Sequence, residues 1–348
     1  MCVMSWRMGT SLLAIIPLAV ATAVAGAGEP APDALARGEY LFHAAACDSC
    51  HTDHPGDGAF LAGGRAMETP FGTFHVPNIT PDPETGIGRW SSEDFRSAMI
   101  EGRSPDGNHY YPVFPYAWYT GMAPRDLEDM WAYLRSVPAV RNEVPPHDLP
   151  FPFKYRFLML GWKLLNFDEG RTVFDPARSE EWNRGAYLVN HLGHCGACHT
   201  TKLYGNFIED KFLAGSAAIP GPYPAPNITS HTVTGIGAWS EEDIVRALRR
   251  SMTPEGTPIR GPMAEYVVAG TSYLSDGDLR AMAVYLKTVP PETGPVEETE
   301  ERRDRRLEMA EDYDRGRTGG GSSAEGSTVG STGIGLLIES GGGRSRAK

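Results

Sequence analysis

The chain has 348 residues, a formal net charge of −12 at pH 7 and a hydrophobic content of 41%. This length allows about two domains, and the hydrophobic content is sufficient for a packed core. The acidic balance argues against nucleic acid as a partner, because a phosphate backbone requires a basic binding surface.

Residues 1–27 have the pattern of an export signal. Arg7 is the only charged residue among the first 28, and an apolar run from Leu12 to Val24 leads into small residues typical of a cleavage site. The run is too short to indicate a transmembrane helix, and an uncleaved anchor is the alternative interpretation. We therefore expect a periplasmic protein from which Cys2 is removed with the signal.

The four other cysteines all belong to C-x-x-C-H motifs, the attachment signature of haem c. Two thiols at this spacing reach the two vinyl groups on one porphyrin edge, and the adjacent histidine reaches the iron. A zinc site would need four ligands from two such clusters folded together, and a redox dithiol would not need the histidine. The sequence thus predicts two covalent haems, the first held by Cys47, Cys50 and the proximal ligand His51, the second by Cys195, Cys198 and the proximal ligand His199.

The motifs lie in two similar halves, and each feature of the second half follows its counterpart by 147 to 152 residues. The paired segments are Arg37–Leu41 with Arg184–Leu188, Pro77–Thr80 with Pro226–Thr229, Gly86–Ser91 with Gly235–Ser240, and Tyr133–Pro138 with Tyr285–Pro290. A repeat of this length indicates tandem domains, because solenoid repeats are much shorter. We assign domains to residues 33–140 and 183–292, a linker to 141–182, and a disordered charged and Gly/Ser-rich tail to 293–348.

Each half is predicted to be all-α. A first helix runs from about Asp33 into the haem motif, and Ser91 and Ser240 precede acidic residues as helix caps do. Closing helices are expected from about Arg125 to Ser136 and from about Asp276 to Thr288. No convincing alternating strand pattern is present.

The order of a haem-binding helix, a ligand loop and a closing helix resembles that of cytochrome c domains. The repeated Pro-Asn-Ile-Thr and Gly-Ile-Gly-x-Trp-Ser segments resemble the cytochrome subunits of bacterial alcohol, gluconate and nicotinate dehydrogenases, over residues 35–292. Those subunits generally carry three haem domains, whereas this chain has two motifs. The resemblance implies electron transfer and leaves the exact partner open.

The sixth iron ligands are expected in the loop before each closing helix. Met263 lies in Pro-Met-Ala-Glu, which resembles the family's ligand loop, and a thioether there would close the haem site. The matching loop of the first half has no methionine, so we assign Met122, just before the closing helix. His109 is the alternative ligand for the first haem.

Two repeated polar positions have two interpretations each. Asn78 and Asn227 either donate to a haem propionate or form a turn after proline. Arg65 either offsets a propionate charge or is an ordinary solvated arginine.

These features predict an electron-transfer subunit and not an independent enzyme. Electrons would enter from a periplasmic dehydrogenase and leave to another cytochrome, an oxidase or quinone. A di-haem peroxidase with one open haem site is the alternative. The apolar linker around residues 151–167 is either a strap packed across both domains or a contact surface for a dehydrogenase or membrane, which is compatible with peripheral attachment to the inner membrane.

Overall fold

A computed structural model describes residues 32–203, 206–207, 209–217 and 223–294. The predicted export signal and almost all of the predicted tail lie outside these residues. The described chain is mostly helical, as expected. Within it, no helix is both long and apolar enough to cross a membrane.

Within the described residues, five α-helices occur in the same order in each half, and one further α-helix lies in the linker between them. In the first half they are α1 (Pro32–Ala44), α2 (Cys47–His51), α3 (Ser92–Arg96), α4 (Tyr116–Tyr119) and α5 (Pro124–Ser136). The linker contains α6 (Leu158–Asn166). The second half has α7 (Glu180–Tyr187), α8 (Gly196–His199), α9 (Glu241–Arg250), α10 (Gly261–Ala269) and α11 (Asp276–Leu286). The closing helices α5 and α11 therefore lie within two residues of their predicted ends.

The predicted caps of α3 and α9 form the same structure. The Ser91 hydroxyl accepts a hydrogen bond from the Asp94 amide, and the Asp94 carboxylate accepts one from the Ser91 amide. Ser240 and Asp243 make the same pair of bonds. Each capping box satisfies amide groups that the first turn of a helix cannot pair.

The first and last helices of each half cross at a glycine. A Cβ on Gly38 in α1 would lie 2.0 Å from the Asp129 carbonyl oxygen of α5. A Cβ on Gly185 in α7 would lie 1.9 Å from the Ala281 carbonyl oxygen of α11. The repeated Arg-Gly-x-Tyr-Leu motif therefore places glycine where two helix backbones touch.

In the part of the chain that the structure describes, two short antiparallel hairpins add to the predicted helices. Strands β1 (Ala66–Thr69) and β2 (Gly72–His75) pair with Ala66 opposite His75, and β3 (Lys202–Leu203) pairs with β4 (Asn206–Phe207). Each hairpin follows a haem motif. Strands of two to four residues give too little alternation to be detected in the sequence.

A reciprocal set of polar contacts joins the two halves. Tyr187 of the second half donates to Asp126 of the first at 2.6 Å, and Arg37 pairs with the same carboxylate. Tyr40 of the first half donates to Asp278 of the second at 2.7 Å, and Arg184 pairs with that carboxylate at 2.6 Å. One buried apolar core also contains residues of both halves, so the halves pack as one body around this interface.

Candidate haem sites

The first motif forms the short helix α2, which follows a left-handed residue, Ala46, with φ of 50°. The turn at Ala46 separates α2 from α1 and redirects the chain. The His51 ring donates from Nδ1 to the Pro77 carbonyl oxygen at 2.8 Å. Because Nδ1 carries the proton, Nε2 has a lone pair available for a metal.

The second motif repeats this geometry. His194 precedes Cys195 in the left-handed region, with φ of 41°, at the position that corresponds to Ala46. His199 donates from Nδ1 to the Pro226 carbonyl oxygen at 2.8 Å. The histidine of each motif is thus oriented by the carbonyl of the proline in its own Pro-Asn-Ile-Thr segment.

Burial shifts the pKa values of groups in both motifs. The four thiols are free, and burial raises the pKa of Cys47 and that of Cys195 to about 12. Burial also lowers the pKa values of His51 and His199, so both imidazoles are neutral at pH 7. Paired free thiols beside an imidazole with a free Nε2 fit a covalently bound haem in each half.

Asn78 and Asn227 make the same hydrogen bonds to the protein in the two halves. The Asn78 amide donates to the Val140 carbonyl at 2.7 Å, and its oxygen accepts from the Thr80 amide at 2.9 Å. Asn227 donates to the Glu292 carbonyl at 2.7 Å and accepts from the Thr229 amide at 2.9 Å. Both side chains fasten a Pro-Asn-Ile-Thr turn to the chain after the closing helix, which is the turn interpretation.

The two candidate sixth ligands occupy different positions. Met263 is half-buried in the first turn of α10, after Pro262. Helix α4 is the counterpart of α10, and its Pro-Tyr-Ala-Trp-Tyr sequence puts Tyr116 opposite Met263. Met122 follows α4 by three residues and is 5% exposed, in the core that Cys47 packs against.

Tyr116 is a residue that the sequence reasoning missed. It is fully buried, and its hydroxyl has no hydrogen-bond partner in the described structure. The signal was the match of Pro-Tyr-Ala-x-Tyr with Pro-Met-Ala-x-Tyr at a spacing of 147 residues. When the two halves are aligned on their closing helices, the offset is 152 residues and Met122 lies opposite Leu274. This alignment does not pair Tyr116 with Met263.

The remaining histidines make specific contacts of their own. His109 lies against the linker, where its Nδ1 is 2.9 Å from the Lys163 ammonium. His43 and His191 occupy equivalent positions, and each ring lies on the other half of the chain. The His43 ring donates to the Ala269 carbonyl at 3.1 Å, and the His191 ring donates to the Trp118 carbonyl at 2.9 Å.

Helix α4 and the end of α10 each pack against the region of the Cys-x-x-Cys-His motif in the other half. Trp118 in α4 lies on Gly196, whose added Cβ would be 2.2 Å from the indole ring. Gly270, directly after α10, lies similarly close to Ala46. Glu265 in α10 pairs at 2.7 Å with Arg65, which also donates to the Ser49 carbonyl of the first motif. Arg65 is therefore an interface residue, which neither interpretation from the sequence anticipated.

Three aromatic side chains lie between the two motifs. Tyr119 donates to the Ala45 carbonyl at 3.4 Å, and Tyr266 donates to the Gly193 carbonyl at 2.9 Å, so each tyrosine holds the turn before its own motif. The His194 ring lies between them, with centroids 5.2 Å from Tyr119 and 5.8 Å from Tyr266. Covalent, hydrogen-bonded and van der Waals contacts therefore connect Cys47 with Cys195.

Comparison with known proteins identifies similar chains. The cytochrome c family model matches residues 35–138. The chain is 44% identical over 259 residues to a diheme cytochrome c-type protein of Cereibacter sphaeroides, and the match covers 73% of this chain and 85% of that protein. It is 38% identical over 292 residues to the fructose dehydrogenase cytochrome subunit of Gluconobacter japonicus, covering 81% of this chain and 59% of the relative. It is 36% identical over 296 residues to the cytochrome c subunit of the quinone-dependent alcohol dehydrogenase of Gluconobacter oxydans, covering 82% of this chain and 61% of the relative.

Proposed function

The chain belongs to the family of c-type cytochromes that includes cytochrome subunits of bacterial dehydrogenases, and we propose that it carries electrons from a periplasmic dehydrogenase to the respiratory chain. Family membership implies covalently bound haem c. The proposal adds that there are two haems, one in each of two tandem cytochrome c domains at residues 33–140 and 183–292. The observation that carries it is the identical orientation of His51 and His199 by proline carbonyls at 2.8 Å.

The residues of each half have distinct tasks in this proposal. Cys47 and Cys50 hold the first haem, and Cys195 and Cys198 hold the second. His51 and His199 present neutral Nε2 atoms as proximal ligands, and Met122 and Met263 supply thioether sulfurs as sixth ligands. When bound, the haems supply one-electron iron chemistry whose potential the axial ligands set.

The packing between the halves supports transfer within one chain. Tyr119, His194 and Tyr266 connect the turns that precede the two motifs, and Trp118 lies on the second motif from the first half. A dehydrogenase can then deliver electrons to one half, while the other half passes them to a cytochrome, an oxidase or quinone.

The direct test is affinity purification of the exported protein from its native host under mild conditions. We expect a dehydrogenase to co-purify, and its substrate to reduce both haems, seen as growth of the reduced α-band. A chain that purifies alone and turns over peroxide rapidly would instead be an enzyme. The relatives described above are named as cytochromes and dehydrogenase subunits, so the di-haem peroxidase alternative gains no support.

A further inference from the structure

Helix α6 in the linker turns its charged residue toward the protein and its leucines toward solvent. Its only charged residue, Lys163, points inward, and its ammonium donates to the carbonyls of Glu101 and Gly102 and lies over the Tyr116 ring. The outward residues Leu164 and Leu165 are 87% and 80% exposed. A surface helix normally turns its charges to water and its leucines to the core.

The loop before α6 extends this apolar surface. Phe151 and Phe157 are 77% and 65% exposed, and both rings contact the ring of Tyr155. Eight of the thirteen large hydrophobic side chains that are exposed in the described chain lie within residues 151–167. The exposure is therefore a local property of this segment, which we call the apolar strap, and exceeds the scattered exposure normal for soluble proteins.

The sign of the charge also changes in the apolar strap. Residues 151–167 contain Lys154, Arg156 and Lys163 and no acidic residue, although the whole chain carries −12. The Lys154 side chain is exposed beside Tyr155, and acidic residues reappear outside the strap, at Asp148 and Asp168. Lys163 points inward and Arg156 donates to the His109 carbonyl, so Lys154 is the cation of the strap that lies at the surface. An exposed apolar surface with a cation among its aromatic rings and no carboxylate in its sequence matches an anionic lipid surface.

The inner side of the strap is attached to both halves of the chain. The Trp162 ring contacts Tyr116 of the first half and Phe207 of the second, with centroids 6.1 and 6.3 Å apart. The sequence suggested either a strap packed across both halves or a contact surface. The inner side of this segment packs across both halves, and its outer side is the exposed apolar surface. With nine residues, α6 is too short to span a bilayer and suits an orientation parallel to its surface.

We propose that the apolar strap binds the surface of a membrane rich in anionic phospholipids, with α6 lying in the interfacial plane. The leucines of α6 and the rings of Phe151 and Phe157 enter the boundary between headgroups and acyl chains. Lys154 lies at the headgroup phosphates. This proposal rests on the proposed function, and it adds the surface that would hold the cytochrome at a membrane.

Vesicle co-sedimentation of the purified holoprotein tests the proposal. We expect binding to vesicles of equal parts phosphatidylcholine and phosphatidylglycerol, and weaker binding to pure phosphatidylcholine. The double variant Leu164→Glu/Leu165→Glu should reduce the bound fraction at least tenfold. The matched control is Val233→Glu, since Val233 is 84% exposed outside the strap and its substitution should leave binding unchanged.

Three outcomes would overturn the proposal: no binding of the wild type to either vesicle, equal binding of the double variant, or equal loss in the control. If the wild type does not bind vesicles and the double variant no longer co-purifies with a dehydrogenase, the strap is covered by a protein partner and not by lipid. Haem content and substrate-driven haem reduction in detergent should be unchanged in the double variant. A wild type that lacks haem, or whose haems are not reduced by the dehydrogenase substrate, would contradict the proposed function and leave the membrane proposal unaffected.

Discussion

The two halves agree in how they hold the motif histidine and differ at the position where we propose a sixth iron ligand. His51 and His199, Asn78 and Asn227, and the two capping boxes are sequence equivalents with the same hydrogen bonds. In the ligand loop, Met263 of the second half corresponds to the buried Tyr116 of the first, and Met122 follows three residues after α4. The hydrogen bonds around the Cys-x-x-Cys-His motif are therefore common to both halves, while the loop that carries the proposed sixth ligand differs between them.

The largest expected effect is a gain of carbon monoxide binding when Met122 is replaced. If Met122 closes the first haem, the reduced wild type binds little carbon monoxide, and Met122→Ala gains about one carbon monoxide per chain with a high-spin fraction. Tyr116→Phe is the control, since it keeps Met122 and should remain closed. Optical titration with carbon monoxide measures both. A variant Met122→Ala that stays closed would assign the ligand to another residue, first of all His109.

The second half should respond at its own position. Met263→Ala is expected to lower the midpoint potential of one haem, because a thioether ligand favours ferrous iron and axial ligands span a range of about 0.8 V. Met282→Ala serves as the control, because Met282 is buried in the closing helix α11. Spectroelectrochemical titration gives the potentials. An unchanged titration curve for Met263→Ala would show that this side chain only packs.

The shared turns should be equally important in both halves. Asn78→Ala and Asn227→Ala are each expected to reduce the free energy of unfolding by about 3 kcal/mol, because buried groups lose their partners. Asn108→Ala, at an exposed site, should change it by less than about 0.5 kcal/mol. Urea unfolding of the holoprotein supplies the values. If only one of the two substitutions greatly reduced the free energy of unfolding, the two turns would not be equivalent.

The smallest effect is expected at the interface tyrosines. Tyr40→Phe and Tyr187→Phe each remove one hydrogen bond to a carboxylate, at a cost of about 1–2 kcal/mol. Urea unfolding at pH 7 measures both variants, and Tyr155→Phe, in the exposed strap, is the control. Unchanged stability in both interface variants would contradict a role for these contacts.

The Tyr40 variant also has a predicted pH dependence. Burial by itself raises the pKa of Asp278, but hydrogen bonds from Arg184 and Tyr40 outweigh burial and hold the pKa below its usual value of 3.8. The stabilisation from Asp278 is therefore present above about pH 4 and is lost as the pH falls through the lower value in the folded state. Without the Tyr40 bond, acid unfolding should begin at a higher pH.

Much of this arrangement could be predicted from local sequence patterns. The cysteine spacing, the serine caps and the repeated glycine each depend on a few neighbouring residues, so the motifs, helix starts and closing helices were accessible. The contacts between halves depend on residues far apart in the chain. No local pattern shows that Tyr187 bonds to Asp126, that Glu265 meets Arg65, or that the leucines of α6 face outward.

Haem content tests the central claim most directly. A pyridine haemochrome assay on the exported protein, with the mass of the intact chain, is predicted to give two haems per chain that resist acid-acetone extraction. Replacing Cys195 and Cys198 with serine should leave one, as should replacing Cys47 and Cys50. One haem in the wild type, or haem that acid-acetone extracts, would contradict the account.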